Sequence, residues 1–220
     1  MKFAIIVFPG SNCDHDAYYA LNKILDVEVD FIWHKESSLD SFDAILLPGG
    51  FSYGDYLRTG AIAKYSPIMK EVVRYANKGL PVIGICNGFQ ILIEAGLLPG
   101  ALIRNQNTKF LSKMVSLGVE TNSSMFTRNL EQNQIISMPI AHGEGNYQTD
   151  ENTLKELYDN DCIAFKYIKD YNLNGSANDI AGILNKGKNV LGMMPHPERA
   201  CEKILGSDDG INIFKSMIGS

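Results

Sequence analysis

No two cysteines in this chain are spaced C-x-x-C. The four present, at positions 13, 86, 162 and 201, stand far apart. Neither a disulfide framework nor a tetrahedral zinc site is signalled, and reduced thiols in a cytoplasm fit best. Like charges do not gather either: 25 Asp and Glu against 20 Lys and Arg leave a formal charge of -5. Without a basic stripe to neutralise phosphates, nucleic acid is not an expected partner. No apolar run approaches a membrane span. The N-terminal stretch from Lys2 to Phe8 is too short for one and has no small-residue cleavage site behind it, so it reads as a buried strand and not a signal peptide. Also missing are a GxxxxGK(S/T) phosphate loop, an internal repeat and a Gly/Ser linker, which points to one domain over residues 1–220 with no nucleotide site of its own. What is plentiful is apolar residue. At 45% hydrophobic against 20% charged, the chain has the mix of a globular protein with an ordinary core.

Through the first half, short apolar runs alternate with longer amphipathic ones, as parallel strands buried on both faces and joined by crossover helices require. Strands are expected over 2–8, 27–33, 43–47 and 81–85, and helices over 14–25 and 62–77, the second closed by Lys78-Gly79. The second half gives shorter runs at 114–120, 134–142, 162–167, 180–184 and 190–194, expected to add antiparallel strands to the same sheet. Polar stretches at 146–161, with a short helix near 154–158, and at 170–179 read as surface loops. The fold class is α/β, doubly wound and flavodoxin-like, in which ligands sit beyond the carboxyl ends of the strands.

The chemistry lies after those strand ends. Gly84-Ile85-Cys86-Asn87-Gly88 follows an expected strand and opens an expected helix, the setting of a nucleophile elbow with cysteine in place of serine. Glycines two residues before and after the nucleophile leave room for the strained turn. The following helix presents unpaired N–H groups and a dipole that favour a negative sulfur, and the Asn87 N–H is free to bond an oxyanion. A base appears in Met194-Pro195-His196-Pro197-Glu198: prolines hold the segment extended, so His196 and Glu198 at i and i+2 share a face, as a base and its orienter must. Pro48-Gly49-Gly50-Phe51 follows another strand, and its backbone N–H groups near Gly50 supply a second oxyanion donor.

Two other groups compete. His142, in Ala141-His142-Gly143-Glu144-Gly145, also follows a strand; with Glu144 it is a candidate contact for substrate or partner, with a structural role as the alternative. Cys13 and His15 lack a second pair of ligands, so no metal site is expected there, and capping of the helix near Asp14 is the better reading. Cys13, Cys162 and Cys201 are read as buried packing residues.

Taken together, P-G-G after a strand, G-I-C-N-G-F-Q at the elbow and M-P-H-P-E near the C-terminus resemble the class I glutamine amidotransferase domain in order and spacing over nearly the whole chain. The longer stretches at 47–63 and 139–145 are similar to a narrower branch, the free-standing glutaminase subunits of purine biosynthesis; Leu173 departs from the N-P-N-G-S turn usual there. The resemblance implies a thioester mechanism in which Cys86 attacks the glutamine side-chain amide, His196 passes the proton to departing ammonia and Glu198 orients His196. It implies that Gly50, Phe51, Asn87 and Gln90 hold the oxyanion and the glutamine. It also implies partners: a synthetase large subunit that uses ATP and Mg to aminate formylglycinamide ribonucleotide, and a small accessory subunit, with no cofactor in this chain. Peptidase-like relatives usually have histidine directly after the cysteine, where Asn87 stands here. Gamma-glutamyl hydrolases are typically exported, and a non-catalytic flavodoxin-like module needs neither elbow nor His-Glu pair.

Overall fold

A computed structural model of the chain describes residues 1–219. In the first half the strands are β1 (Lys2–Val7), β2 (Glu28–Trp33), β3 (Ala44–Leu47) and β4 (Val82–Ile85), with helices α1 (Asp14–Tyr18), α2 (Pro67–Asn77) and α3 (Asn87–Glu94) between and after them. The second half contributes β5 (Ala101–Ile103), β6 (Leu111–Val119), β7 (Ile135–His142), β8 (Asn146–Gln148), α4 (Glu151–Asp159), β9 (Ile163–Tyr167), β10 (Ile180–Leu184), β11 (Val190–Met193) and α5 (Ile211–Ile218). Nine strands form one sheet in the order β2-β1-β3-β4-β11-β10-β9-β6-β7. The half from β2 to β11 is parallel, and the half from β11 to β7 is antiparallel. This is the doubly wound α/β fold, and its chain reverses direction of travel between β1 and β3, where the loops leaving the two strands part and open a crevice. No helix among the described residues is long and apolar enough to cross a membrane.

The expected pattern needs several corrections. β11 is antiparallel to β10, as expected of the second half, but it also lies beside β4 and runs parallel to it, joining the two halves, and its four residues are buried on both faces, as a central strand demands. The expected helix over 14–25 is α-helical for five residues and then widens into a π turn, Tyr19–Ile24. The one over 62–77 breaks at Ser66, because Pro67 lacks an N–H and takes the first helical position of α2. Residues 146–161 are more than a surface loop: they hold β8, paired with β5, and the expected short helix at 154–158 runs longer as α4, whose Asp150 N-cap accepts from the Thr153 N–H at 2.9 Å. The 170–179 loop also turns inward. Asn174 and Ser176 are buried, and both donate to the Gly145 carbonyl, at 2.9 and 3.3 Å. α5 has no counterpart among the expected elements, although Ile213 and Phe214 pack into the core.

Close packing of β3, β4 and α3 sets the position of the elbow. A Cβ added at Gly88 would stand 2.0 Å from the Leu47 carbonyl oxygen, and one at Gly84 would stand 2.6 Å from that of Gly88. Backbone meets backbone there, so no rotamer change relieves the clash. Gly88→Ala should therefore destabilise the chain by about 2–3 kcal/mol or more in urea unfolding, while Gly143→Ala should stay within about 0.5 kcal/mol. In the control, the new methyl meets only Phe110, at 3.8 Å. Equal costs for the two would contradict this packing.

Candidate active site

In the pairing of β4 with β11, Ile85 stands opposite Met193, and the Cys86 N–H donates to the Met193 carbonyl at 2.8 Å. That register brings the residue after β4 beside the segment after β11. Cys86 has φ 52 and ψ -104, a conformation that costs a non-glycine residue on the order of 1–3 kcal/mol and is held by the packing around it. Its thiol is buried and donates to the Ala141 carbonyl at 3.6 Å.

His196 is anchored by its N–H, which donates to the Pro139 carbonyl at 2.9 Å. Its ring Nδ1 lies 2.6 Å from Glu198 Oε1, and both side chains are almost fully buried. Since a carboxylate only accepts, Nδ1 carries the proton in this bond, and Nε2, which has no hydrogen-bond partner, is left to face the thiols. The expected route to this geometry holds only in part. His196 is extended, at φ -102 and ψ 91, but Pro197–Arg199 closes a 3-10 turn. Proline at the first position of that turn starts it, so Glu198 reaches the ring from a turn and not along an extended chain. Burial works against a charge on His196, yet the Glu198 carboxylate and the sulfurs of Cys86 and Cys13 outweigh it, leaving the imidazole pKa well above its ordinary value.

Around this trio a relay of side-chain bonds joins the loops. The Ser52 N–H donates to Asn87 Oδ1 at 3.2 Å, Asn87 Nδ2 donates to Gln90 Oε1 at 2.9 Å, and Gln90 Nε2 donates to the Glu144 carbonyl at 2.7 Å. Gln90 therefore lines the cavity with both ends of its amide engaged, fixing the segment that carries Glu144. The Phe51 N–H is also engaged, with the Gly10 carbonyl at 2.8 Å, while its ring is half exposed at the mouth. This leaves the Gly50 and Asn87 N–H groups as oxyanion candidates.

The thiol of Cys86 opens into a cavity of about 300 Å³ whose lining includes Asp55, Gln90, Arg104, His142 and Glu144. Burial, and secondarily the charge of Glu144, pushes the Asp55 carboxyl up to about 6. Thr59 Oγ1 donates to Glu144 Oε2 at 3.2 Å. A second cavity of about 230 Å³, lined by Cys13, His196 and Arg199, shares Gly50, Phe51, Phe110 and Ala141 with the first. A larger one, about 510 Å³, opens near Leu98, Leu157, Cys162 and Leu184 at the other end of the sheet, away from the base and the elbow.

Cys13 is buried, as expected of a packing residue, but it also neighbours the base. Its sulfur lies against the His196 ring: a Cβ on Gly49 would stand 2.9 Å from Cys13 Sγ and 2.8 Å from His196 Cε1. It holds the N-cap position of α1, yet its side chain caps nothing there, and the His15 side chain is 81% exposed. Burial pushes the Cys13 thiol up. Cys162 and Cys201 are buried, and desolvation raises both. Another group that the sequence does not signal is Asn105, whose Oδ1 accepts from His142 Nδ1 at 3.1 Å and from the Gly145 N–H at 3.0 Å.

Residues 1–211 match the CobB/CobQ-like glutamine amidotransferase domain. The chain belongs to that family. The amidotransferase is also similar over 99% of its length, and over 97% of the other chain, to the structure of PurLQS from Thermotoga maritima, at 46% identity and a TM-score of 0.90. It shares its fold with a glutamine amidotransferase from Thermotoga maritima, at 16% identity, coverage of 100% and 99%, and a TM-score of 0.64. A like match is the glutaminase domain of Trypanosoma brucei CTPS with bound acivicin, at 13% identity, coverage of 100% and 94%, and a TM-score of 0.61.

His142 makes a pH prediction for the amidotransferase. Burial, then repulsion from His196, lowers its pKa to about 4, and a Cβ on Gly145 would stand 2.3 Å from its ring. The folded state thus holds a neutral imidazole whose unfolded pKa is about 6.5. Between the two values the unfolded chain binds a proton that the folded chain lacks, so stability falls as pH drops, by up to about 1.4 kcal/mol per pH unit. His196 acts in the opposite sense, contributing most below about 6.5 and less as pH rises through its raised pKa. Urea unfolding from about pH 6.5 to pH 4.5 should show this slope in the wild type and a flatter one in His142→Asn. An unchanged slope would place the acid sensitivity elsewhere.

Proposed function

We propose that the chain is the glutaminase subunit of a phosphoribosylformylglycinamidine synthase, which hydrolyses glutamine to glutamate and hands the ammonia to a synthetase partner. The observation that carries this is the buried line of Glu198, His196 and the strained elbow Cys86, ending in a polar cavity; family membership and the likeness to PurLQS support it. The Cys86 thiol gives its proton to His196 Nε2 while its sulfur attacks the amide carbon. The N–H groups of Gly50 and Asn87 hold the oxyanion. As the C–N bond breaks, His196 returns the proton to the leaving ammonia, and water then cleaves the thioester to release glutamate. Glu198 fixes the ring's tautomer throughout.

Glutamine is also a zwitterion at its α-carbon, and the cavity suits one. The carboxylates of Asp55 and Glu144 would take the ammonium, while Arg104 and Thr108, on the same lining, would take the carboxylate. Phe51, Tyr56, Leu57 and Phe110 are exposed, Phe51 and Phe110 with ring centroids 6.4 Å apart. Apolar surface of this kind around a mouth suits a protein partner. Free ammonia is mostly protonated in neutral water and then unreactive, so delivery to a partner in contact is the productive arrangement. That partner would carry the ATP and Mg chemistry, a small accessory subunit would complete the complex, and the location would be cytoplasmic.

In the assembled complex, Cys86→Ala should abolish glutamine-dependent synthesis yet leave synthesis from added ammonium salts, and His196→Ala should lower glutaminase kcat by a factor on the order of 100 or more. Glutamine-dependent turnover persisting in Cys86→Ala would refute the reading. Asp55→Asn and Glu144→Gln should each raise the KM for glutamine about tenfold, equivalent to ~1.4 kcal/mol, with kcat changed much less. Saturation curves for glutamate release check this; an unchanged KM would remove both carboxylates from the ammonium site.

A further inference from the structure

Asn105 has no part in the mechanism above, yet it bonds to two separate segments that line the cavity beside Cys86. One segment carries Arg104 and Thr108, and the other carries Glu144. Asn105 is 1% exposed, and its side-chain amide makes four hydrogen bonds, the most such a group forms with two donors and two lone pairs. Nδ2 donates to the Lys109 carbonyl at 2.8 Å, in the first segment, and to the His142 carbonyl at 2.9 Å, in the second. Oδ1 accepts from His142 Nδ1 at 3.1 Å and from the Gly145 N–H at 3.0 Å. The Asn105 backbone N–H adds a bond to the Gly143 carbonyl at 2.9 Å. We propose that Asn105 is a positioning residue that sets the spacing of the two segments and so fits the cavity to the paired charges on the α-carbon of glutamine.

This role rests on the glutaminase reading, in which Arg104 and Thr108 take the α-carboxylate while Glu144 takes the α-ammonium. Two charged groups on one carbon are recognised together only if the groups that receive them stand at a fixed separation. Asn105 supplies that separation because its amide fits one way round. Turned over, it would set N–H against N–H at His142 and Gly145, and oxygen against the carbonyls of His142 and Lys109. Within the first segment, the Thr108 N–H donates to the Asn105 carbonyl at 2.8 Å, which places Thr108. Within the second, Asn105 holds Gly143 and Gly145, and Glu144 lies between them. The reacting groups have other supports. Cys86 and His196 are placed by β4 and β11, and Ala141, whose carbonyl faces the thiol, is paired with Ser112 in the sheet. Loss of Asn105 therefore acts on recognition of glutamine and leaves the nucleophile and its base in place.

Two measurements on the assembled complex test the clamp. In the first, alkylation of Cys86 is timed with two probes: iodoacetamide, which has no α-carbon charges, and the chloroketone analogue of glutamine, which carries both. In Asn105→Ala the chloroketone should react at least about tenfold more slowly, while iodoacetamide keeps its wild-type rate. Asn105→Asp keeps the acceptor toward His142 and Gly145 and loses both donations; it should shift the two probes in the same sense and guards against a folding defect in the alanine variant. Asn107→Ala loosens the same turn, where Asn107 Oδ1 accepts from the Lys109 N–H at 2.9 Å, and should leave both rates unchanged. In the second, glutamate release by Asn105→Ala should show KM for glutamine raised about tenfold or more and kcat within about threefold of the wild type. Equal slowing of the two probes would make Asn105 a general support of the fold and overturn the proposal, as would an unchanged chloroketone rate. A wild-type Cys86 that iodoacetamide labels and the chloroketone does not would instead refute the glutaminase reading, so the two failures are told apart.

Discussion

The pairing of β4 with β11 is the constraint on which the site depends. Cys86 and His196 come from distant parts of the chain, and only the register of Ile85 opposite Met193 sets them side by side. Asn189 secures that register from below: its Nδ2 donates to the carbonyls of Ala76 and Leu80, at 2.8 and 2.9 Å, tying the start of β11 to the turn before β4. A contact of such sequence separation is slow to form. The nucleophile therefore meets its base only after the last strand has entered the middle of the sheet. Until then the elbow is an ordinary strand-to-helix turn under strain, without a partner for its thiol.

Burial does the electrostatic work, and it acts differently on each group. The pKa of His196 is raised against desolvation because Glu198 is buried with it and bonded to it. His142, at the end of β7, has an amide oxygen for a partner in place of a carboxylate, and the same burial lowers its pKa. Two imidazoles in one neighbourhood are thus pushed in opposite directions by what sits behind them, and repulsion from His196 lowers His142 further. Asp55 is raised by the same burial with Glu144 as its neighbour, which suits a wall that awaits a positive group.

Legibility in the sequence followed how local each feature is. The elbow was readable because its needs are met within five residues: the Gly84 and Gly88 positions, a strand before and a helix after. The pairing of His196 with Glu198 was readable as a spacing, although the turn that delivers it, set by Pro197, was not. Parallel strands stood out as continuous apolar runs. The placement of β11 did not, because Val190–Met193 reads the same beside either neighbour, and only the completed sheet tells which it takes. Asn174, Asn105 and the inward course of residues 170–179 look like polar loop in sequence, since nothing local distinguishes an amide that bonds solvent from one that bonds the Gly145 carbonyl. Cys13 is buried as expected, but its neighbour was hidden for a related reason. Its position after the first strand was visible, but its approach to His196 arises where the loops after β1 and β3 part.

Cys13 and Cys86 share a local setting, each following a strand and opening a helix, so helix dipole and position alone do not separate nucleophile from bystander. Backbone and cavity do. Cys86 sits at φ 52, which turns its thiol out of the strand and leaves the next N–H free, and it opens on a cavity lined with polar side chains. Cys13 is relaxed at φ -103, its thiol pushed up by burial, and it looks into the smaller cavity on the other side of the same wall. The strain at Cys86 persists because Leu47 and Gly88 meet backbone to backbone and leave the elbow no other course. A single base between two thiols is thereby made to serve one of them in catalysis.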